Sequence, residues 1–251
     1  MDGSRSTPPP VDDYRTDMTG GRVLIVGNSI SISSRDGIEA YPTLLASVLG
    51  ERWSVVPLTR SGATIDELED EVINAIEDKR PDIFILQIGI NECAPRPLGR
   101  RGRTRLSRVK SEKLRGLIVQ FLHAYRPHII RLRGVKQLTP PHQFANAVTS
   151  VLRHASRLGC LTLILPVTRI PRTAEERTPF TNREVARYND ILRTYRGDSV
   201  HVISEIELFG MQSPEGYCAG PDTVHLNAAA HERIAQVIAD QISNTVSAKA
   251  V

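Results

Sequence analysis

The sequence is poor in aromatic residues, in cysteine and in long apolar runs. Only 5% of its 251 residues are aromatic, and the three cysteines, Cys93, Cys160 and Cys218, are far apart and without CxxC spacing. This pattern argues against a disulfide framework and a zinc knuckle, and a reducing cytoplasm is the expected location. Apolar runs such as Val23–Val26 are far shorter than the roughly 20 residues of a membrane helix, and residues 1–20 contain no apolar signal core. Neither a membrane span nor secretion is therefore expected.

Positive charge is concentrated in one segment. The chain has a formal net charge of +4, but between Arg96 and Lys136 it carries 13 basic residues and a single acid, Glu112. The formal net charge of this segment is therefore +12, and that of the rest of the chain is −8. No aromatic residue lies between Arg96 and Gln120 to stack on bases, which argues against nucleic acid. We interpret the segment as a lid or docking patch for an anionic partner, such as an acidic carrier protein, a coenzyme A phosphate or a charged lipid headgroup; the alternative is a solvated arginine-rich loop.

Short apolar runs alternate with helical patterns along the chain. Strands separated by helices indicate right-handed crossovers, and hence an α/β fold with one doubly wound parallel sheet. In Thr64–Lys79 the apolar residues follow the 3.6-residue period, and Thr64 and Glu67 form a capping pair. The predicted strands are Arg22–Val26, Trp53–Pro57, Asp82–Ile88, Leu161–Val167 and Val200–Ser204, and the other predicted helices are Glu39–Leu49, Phe144–Arg157, Asn182–Tyr195 and Ala228–Val246.

The chain is predicted to form one domain with a tail and an insertion. Residues 1–20, rich in Ser, Pro, Asp and Thr, are predicted to be a flexible tail. Residues 21–251 are assigned to a single domain with a basic insertion at about 95–140. Within it, Ser111–Tyr125 has the pattern of an amphipathic helix, and Pro95–Arg108 is predicted to be a mobile loop.

In such a sheet the ligand binds beyond the carboxyl ends of the strands, where strand order reverses. The loop after the first strand, Gly27-Asn28-Ser29, lacks the second and third glycines of a GxGxxG turn, and no GxxxxGK[ST] sequence occurs in the chain. Nucleotide binding is therefore not indicated. What remains is a serine directly after a strand, and because most loop serines are only turn residues, its interpretation depends on the other loops.

Those loops supply what a nucleophilic Ser29 needs. Asp222 and His225 lie three residues apart just before the last helix, so the carboxylate can orient the imidazole while its other nitrogen faces the serine. An acyl-transfer intermediate also needs hydrogen-bond donors for its oxyanion. The backbone N–H groups of Gly62 and Ser29 and the side-chain amide of Asn91 are the candidates.

Together these residues resemble the four sequence blocks of the SGNH, or GDSL-type, hydrolases. The ordered set is Gly27-Asn28-Ser29, Gly62, Gly89-Ile90-Asn91 and Asp222-Thr223-Val224-His225. The resemblance spans most of the chain, and it implies a flavodoxin-like three-layer αβα sandwich with a five-stranded parallel sheet. It also implies hydrolysis of an ester, thioester or O-acetyl group by a triad of Ser29, His225 and Asp222, with an oxyanion hole of Ser29, Gly62 and Asn91.

Two positions depart from the family pattern. Asn28 and Glu92 stand where the family usually has aspartate, and neither position carries the nucleophile or base. The departures therefore concern hydrogen bonding in the loops, and both residues are candidates for substrate contact. Arg169, after the fourth strand, can clamp a substrate carboxylate, with a surface salt bridge as the alternative. Cys93 lies close to Asn91, but a free cysteine is usually a small buried apolar side chain.

Two further functions remain open beside hydrolysis of a small acyl ester or thioester. The same triad can pass an acyl group to an alcohol acceptor or take it from a carrier, which would make the protein an acyltransferase. The chain can also be an acyl-binding scaffold with little turnover. No cofactor is expected. No metal is expected either, since His201 and His231 have no metal-ligand spacing with other His, Cys or acidic residues.

Overall fold

The computed structural model describes residues 20–33, 37–220 and 223–249. Apart from Gly20, the predicted N-terminal tail lies outside the described residues, and so does Asp222. None of the helices in these ranges combines the length and the apolar character that crossing a membrane requires.

All five predicted strands and the five predicted helices of the α/β pattern are present, and each end lies within three residues of its predicted position. The strands are β1 (Arg22–Gly27), β2 (Ser54–Thr59), β3 (Ile83–Gln87), β4 (Leu161–Ile164) and β5 (Val200–Val202). The helices are α1 (Tyr41–Leu49), α2 (Ile65–Lys79), α3 (Ile90–Cys93), α4 (Arg100–Ser107), α5 (Glu112–Ala124), α6 (Arg126–Arg133), α7 (Pro141–Arg157), α8 (Arg172–Arg177), α9 (Thr181–Arg193), α10 (Glu205–Phe209), α11 (Pro214–Tyr217) and α12 (Ala228–Lys249).

The strands form one all-parallel sheet in the order β2-β1-β3-β4-β5. This is the flavodoxin-like order, and the predicted fold class is confirmed. Strand β3 is buried throughout and β1 nearly so, as their unbroken apolar sequences predict for strands covered on both faces. Strand order reverses between β1 and β3, and Gly27 pairs with Gln87, so both strands end at the same level.

Helices cover both faces of the sheet. On one face α1 packs against α12, and on the other α2 and α9 both pack against α7. Of the apolar positions that follow the helical period in α2, Ile65, Leu68, Val72 and Ile76 are fully buried and Ile73 is partly buried. The backbone N–H of Thr64 donates to Glu67, as the predicted capping pair requires. The buried apolar residues form one continuous core between the layers.

The insertion is more ordered than the sequence predicts. The amphipathic helix is confirmed as α5, with the Ser111 hydroxyl accepting the N–H of Leu114. The prediction of a mobile loop over Pro95–Arg108 is wrong, because α4 occupies Arg100–Ser107. Arg100 at the start of α4 forms a 2.7 Å ion pair with Asp66 at the start of α2. This partner is remote in sequence, so local patterns could not reveal it.

The two ends of the insertion meet at its base. The backbone N–H of Arg96 donates to the carbonyl of Lys136 at 2.8 Å. Between these ends, α5 contains no buried residue and α6 buries only Ile130. The segment therefore leaves the α/β body and returns to it at one point.

Candidate active site

Ser29 lies in a tight turn directly after β1. The turn is a single 3-10 turn whose first backbone groups are capped by the Asn28 side chain. Ser31, two residues further on, is buried and donates its hydroxyl to Gln87 at 2.7 Å. A Cβ atom on Gly27 would lie 2.1 Å from the Ser31 oxygen, so only glycine permits this close approach. Ser29 is left half-buried on the wall of a cleft.

The loops after β2 and β3 are joined by hydrogen bonds. The side-chain amide of Asn91 donates to the carbonyl of Ala63 at 3.0 Å, which holds the loop containing Gly62 against the start of α3. One amide N–H of Asn91 is used in this way, and the second is left for another acceptor. Gly62 has a φ of +75°, in the left-handed region that favours glycine.

Glu92 connects the same two loops through a clamp of two hydrogen bonds. It is fully buried, and its two carboxylate oxygens accept the backbone N–H groups of Ile65 at 2.8 Å and Gly89 at 2.9 Å. Gly89 has a φ of +120°, and a Cβ there would lie 2.3 Å from a methyl group of Val167. Burial raises the pKa of the Glu92 carboxyl to about 7, although both hydrogen bonds favour its charged form. Glu92 therefore positions the loops that carry Gly62 and Asn91.

Glu92→Gln should change how the free energy of unfolding depends on pH. The folded-state pKa of Glu92 lies above the ordinary value of 4.5, so the folded protein binds its proton more tightly. The contribution of this group to the free energy of unfolding is complete below pH 4.5 and is lost as pH rises through 7. The free energy of unfolding falls by about 3 kcal/mol over this range. We expect this loss in the wild type and not in Glu92→Gln, as measured by urea unfolding at pH 5 and pH 8.

The difference in pH dependence between the wild type and Glu92→Gln excludes the contributions that other titratable groups make to the free energy of unfolding. His231 is buried against Tyr41, and burial lowers its pKa to about 4, so its own contribution runs in the opposite direction between pH 4 and 6.5. That contribution is common to both proteins and cancels in the difference. Equal pH slopes for wild type and Glu92→Gln would contradict a raised pKa at Glu92.

His225 is exposed at the mouth of the cleft. Its Nδ1 atom pairs with the Thr223 hydroxyl at 3.0 Å, and its backbone N–H donates to the same oxygen at 3.0 Å. Because Asp222 lies outside the described residues, its predicted contact with the imidazole stays a prediction. Thr223 was not among the predicted site residues, although it lies within the same sequence block.

One cleft brings four of the predicted residues together. Ser29, Gly62, Asn91 and His225 all line a cleft of about 730 Å³ at the carboxyl ends of β1, β2 and β3. Its volume is in the range of small-molecule sites. The junction of α5 and α6, residues 123–127, forms one part of its wall, and residues of α8 and α9 form another. The basic insertion therefore borders the cleft.

Three predicted substrate-contact residues lie elsewhere. Asn28 and Glu92 are 1% and 0% exposed and bind backbone groups of the loops, so neither lines the cleft in the described structure. Arg169 forms an ion pair with Glu205 at 2.7 Å, in agreement with the alternative of a surface salt bridge. The side-chain oxygens of Asn28 and Glu92 accept backbone N–H groups, so these two residues fix the loops that border the cleft.

Cys93 is fully buried next to the site. Its sulfur lies 3.8 Å from the carbonyl oxygen of Ile90, and burial raises the pKa of the thiol well above its usual value. A thiol that keeps its proton is a poor nucleophile, so Cys93 acts as a small apolar side chain. Within the described ranges, no three His, Cys, Asp or Glu side chains are grouped as metal ligands.

Two asparagines of α9 fix the loop after β4. Asn189 binds both the N–H and the carbonyl of Val167 at 2.8 Å, and Asn182 does the same for Ile170 at 2.8 and 3.0 Å. Ile170 lines the cleft. An asparagine on a buried helix face is the sequence signal for this role, because its amide must find backbone partners.

The fold and the cleft define a class of protein. A flavodoxin-like sheet whose strand-end loops bring a serine, an asparagine and a histidine to one cleft is the arrangement of serine-type hydrolases. The chain belongs to the GDSL-like lipase/acylhydrolase family, and the match covers residues 25–233. This membership confirms the predicted resemblance and supports ester hydrolysis as the general activity. A comparison with curated proteins gave no match.

Three solved structures illustrate the shared fold. TesA is 17% identical, with a TM-score of 0.52 over 88% of this chain and 97% of that one. A lipase/acylhydrolase from Enterococcus faecalis is 12% identical, with a TM-score of 0.58 over 89% and 96%. An acetylxylan esterase from Geobacillus stearothermophilus is 14% identical, with a TM-score of 0.59 over 89% and 94%. At these identities the similarity shows the fold.

Proposed function

We propose that the protein hydrolyses acyl esters through an acyl-enzyme intermediate on Ser29. The observation that carries this proposal is the convergence of Ser29, Gly62, Asn91 and His225 on one cleft where strand order reverses. These residues come from four separate loops, and the chemistry of acyl transfer needs a nucleophile, a base and oxyanion donors in such a cluster.

In the proposed mechanism the Ser29 oxygen attacks the acyl carbon, and His225 takes the serine proton. The carboxylate of Asp222 holds the imidazole and stabilises its charged form. The alcohol leaves with the proton that His225 returns to it, and the acyl group stays on Ser29. A water molecule, deprotonated by His225, then attacks the acyl carbon, and the carboxylic acid is released as Ser29 regains its proton.

The oxyanion formed in both steps needs donors that are already in place. In our proposal these are the N–H groups of Ser29 and Gly62 and the free amide hydrogen of Asn91. The bond from Asn91 to Ala63 and the clamp by Glu92 support this assignment, because they fix two of the donors relative to each other before the substrate binds.

A fluorophosphonate probe tests the proposal directly, because it reacts much faster with an activated serine than with an ordinary one. We expect one label, which peptide mass spectrometry places at Ser29. The matched control is Ser61→Ala, since Ser61 is a second serine on the cleft wall, and it should be labelled like the wild type. Absence of labelling would favour the alternative of an acyl-binding scaffold with little turnover.

The substrate, and the choice between water and an alcohol as acceptor, need a separate experiment. A panel of acyl esters of increasing chain length, assayed with and without an added alcohol, separates hydrolysis from acyl transfer by the products formed. The panel should include acetyl esters, given the acetylxylan esterase among the structural neighbours. Docking of an anionic carrier or lipid headgroup on the basic segment 96–136 stays a prediction, as does a cytoplasmic location.

A further inference from the structure

The wall that the insertion contributes to the cleft carries two unusual arginines. Arg96 and Arg126 both line the cleft, and both side chains are half-buried. The Nε atom of each is buried and has no hydrogen-bond partner within the described residues. One terminal nitrogen of Arg126 donates to the carbonyl of Pro95 at 3.3 Å, and neither arginine forms an ion pair with a described acid. Buried guanidinium groups are normally paired, so this arrangement requires an explanation.

The part of the cleft lining that the structure describes contains Arg96 and Arg126 and no Asp or Glu. Burial, with the charges of Arg126 and Arg103, lowers the pKa of Arg96 to about 10, and burial also lowers the pKa of Arg126. Both groups remain charged at neutral pH and repel each other.

Arg100 of the insertion differs from this pair because it has an acidic partner. Arg100 is paired with Asp66, and this contact explains its position as an anchor of α4. No described acid forms such an ion pair with Arg96 or Arg126, and both residues line the same cleft as Ser29 and His225. The missing negative charge would be supplied by a molecule that occupies the cleft.

We propose that Arg96 and Arg126 form a subsite for an anionic group of the substrate. The preferred ester would then carry a carboxylate or a phosphate, in its acyl or its alcohol part, in addition to the bond that is cleaved. Guanidinium groups bind both anions through charge-assisted, often two-pronged hydrogen bonds. This inference rests on the proposed function, because it names the substrate class of the same cleft.

Matched ester pairs test the subsite. For the carboxylate, 4-nitrophenyl hemisuccinate is compared with its methyl ester, which has the same acyl chain without the charge. For the phosphate, 2-acetoxyethyl phosphate is compared with 2-acetoxyethanol by acetate release. We expect the wild type to prefer the anionic member of at least one pair, and the pair that shows the preference identifies the anion.

Arginine variants then connect the preference to the subsite. In Arg96→Gln and Arg126→Gln the ratio of kcat/KM for the anionic over the neutral ester should fall about tenfold or more, mainly through KM. The matched control is Arg131→Gln, which removes the same charge from an exposed position on α6 outside the cleft lining and should leave the ratio unchanged. Equal ratios in all three variants, or no anionic preference in the wild type, would overturn the proposal.

A binding measurement separates this proposal from the proposed function. Succinanilic acid, an amide analogue of the anionic ester, is titrated by calorimetry into the wild type and the arginine variants. Weaker binding in Arg96→Gln and Arg126→Gln than in Arg131→Gln supports the subsite even if no ester is turned over. Undiminished binding in variants that only melt at a lower temperature would show that the two arginines merely hold the insertion in place.

Discussion

Ser29→Ala is expected to lower kcat for a 4-nitrophenyl acyl ester by at least about 10⁴-fold. Without the hydroxyl no acyl-enzyme can form, and what remains is the modest acceleration that binding and oxyanion donors give to direct attack by water. Purified wild type and variant are compared by release of 4-nitrophenolate at saturating ester. The Ser29 side chain is half-buried at the cleft wall, so its removal should leave the fold intact.

Two controls make the result decisive. Ser61→Ala removes another hydroxyl from the same cleft and should retain most of the activity. Thermal unfolding of both variants should resemble that of the wild type, because neither change creates a core cavity. If Ser29→Ala turned over the ester at the wild-type rate, the serine mechanism would have to be abandoned.

Asp222→Asn is the second change expected to have a large effect, with kcat lowered about 10³- to 10⁴-fold. The carboxylate is proposed to hold the imidazole of His225 in the tautomer that accepts the serine proton, and an amide would favour the wrong tautomer. The measurement is kcat for the same ester between pH 6 and 9, where a neutral imidazole is required.

Thr223→Val is the matched variant for the same histidine. The Thr223 hydroxyl pairs with Nδ1 of His225 at 3.0 Å. If Asp222 orients the imidazole during catalysis, loss of this hydroxyl should lower kcat by about tenfold or less. The reverse ranking, with Thr223→Val the more damaged enzyme, would assign the orienting role to the hydroxyl in place of the carboxylate.

The sheet and the loops that approach the cleft were predictable because both follow from local patterns. Unbroken apolar runs such as Ile83–Gln87 define buried strands, and helices between strands require parallel pairing. Parallel strands end at one edge, so loops that are distant in sequence converge there. Ser29 and His225 are separated by most of the chain, yet they line the same cleft for this reason.

The remaining features depend on contacts that no local pattern contains. Helix α4 is anchored through Arg100 to Asp66 on α2, and the charge of Arg126 reaches the cleft only because α5 and α6 turn back over it. Likewise, the buried position of Glu92 follows from two backbone donors in separate loops. A charge count marks the insertion as unusual, but it does not distinguish Arg100, which anchors a helix, from Arg126, which faces the cleft.

The hydrogen bond between Arg96 and Lys136 makes the insertion separable from the body of the protein. Chain ends that lie one backbone hydrogen bond apart can be joined by a short turn, so another segment can replace the intervening helices at the cost of the ion pair between Arg100 and Asp66. In our proposals the reaction depends on the loops at the strand ends, and the preference for an anionic ester depends on Arg96 and Arg126 of the insertion. Under these proposals, replacement of the segment between Arg96 and Lys136 can change the substrate range while the strand-end loops of the α/β body stay the same.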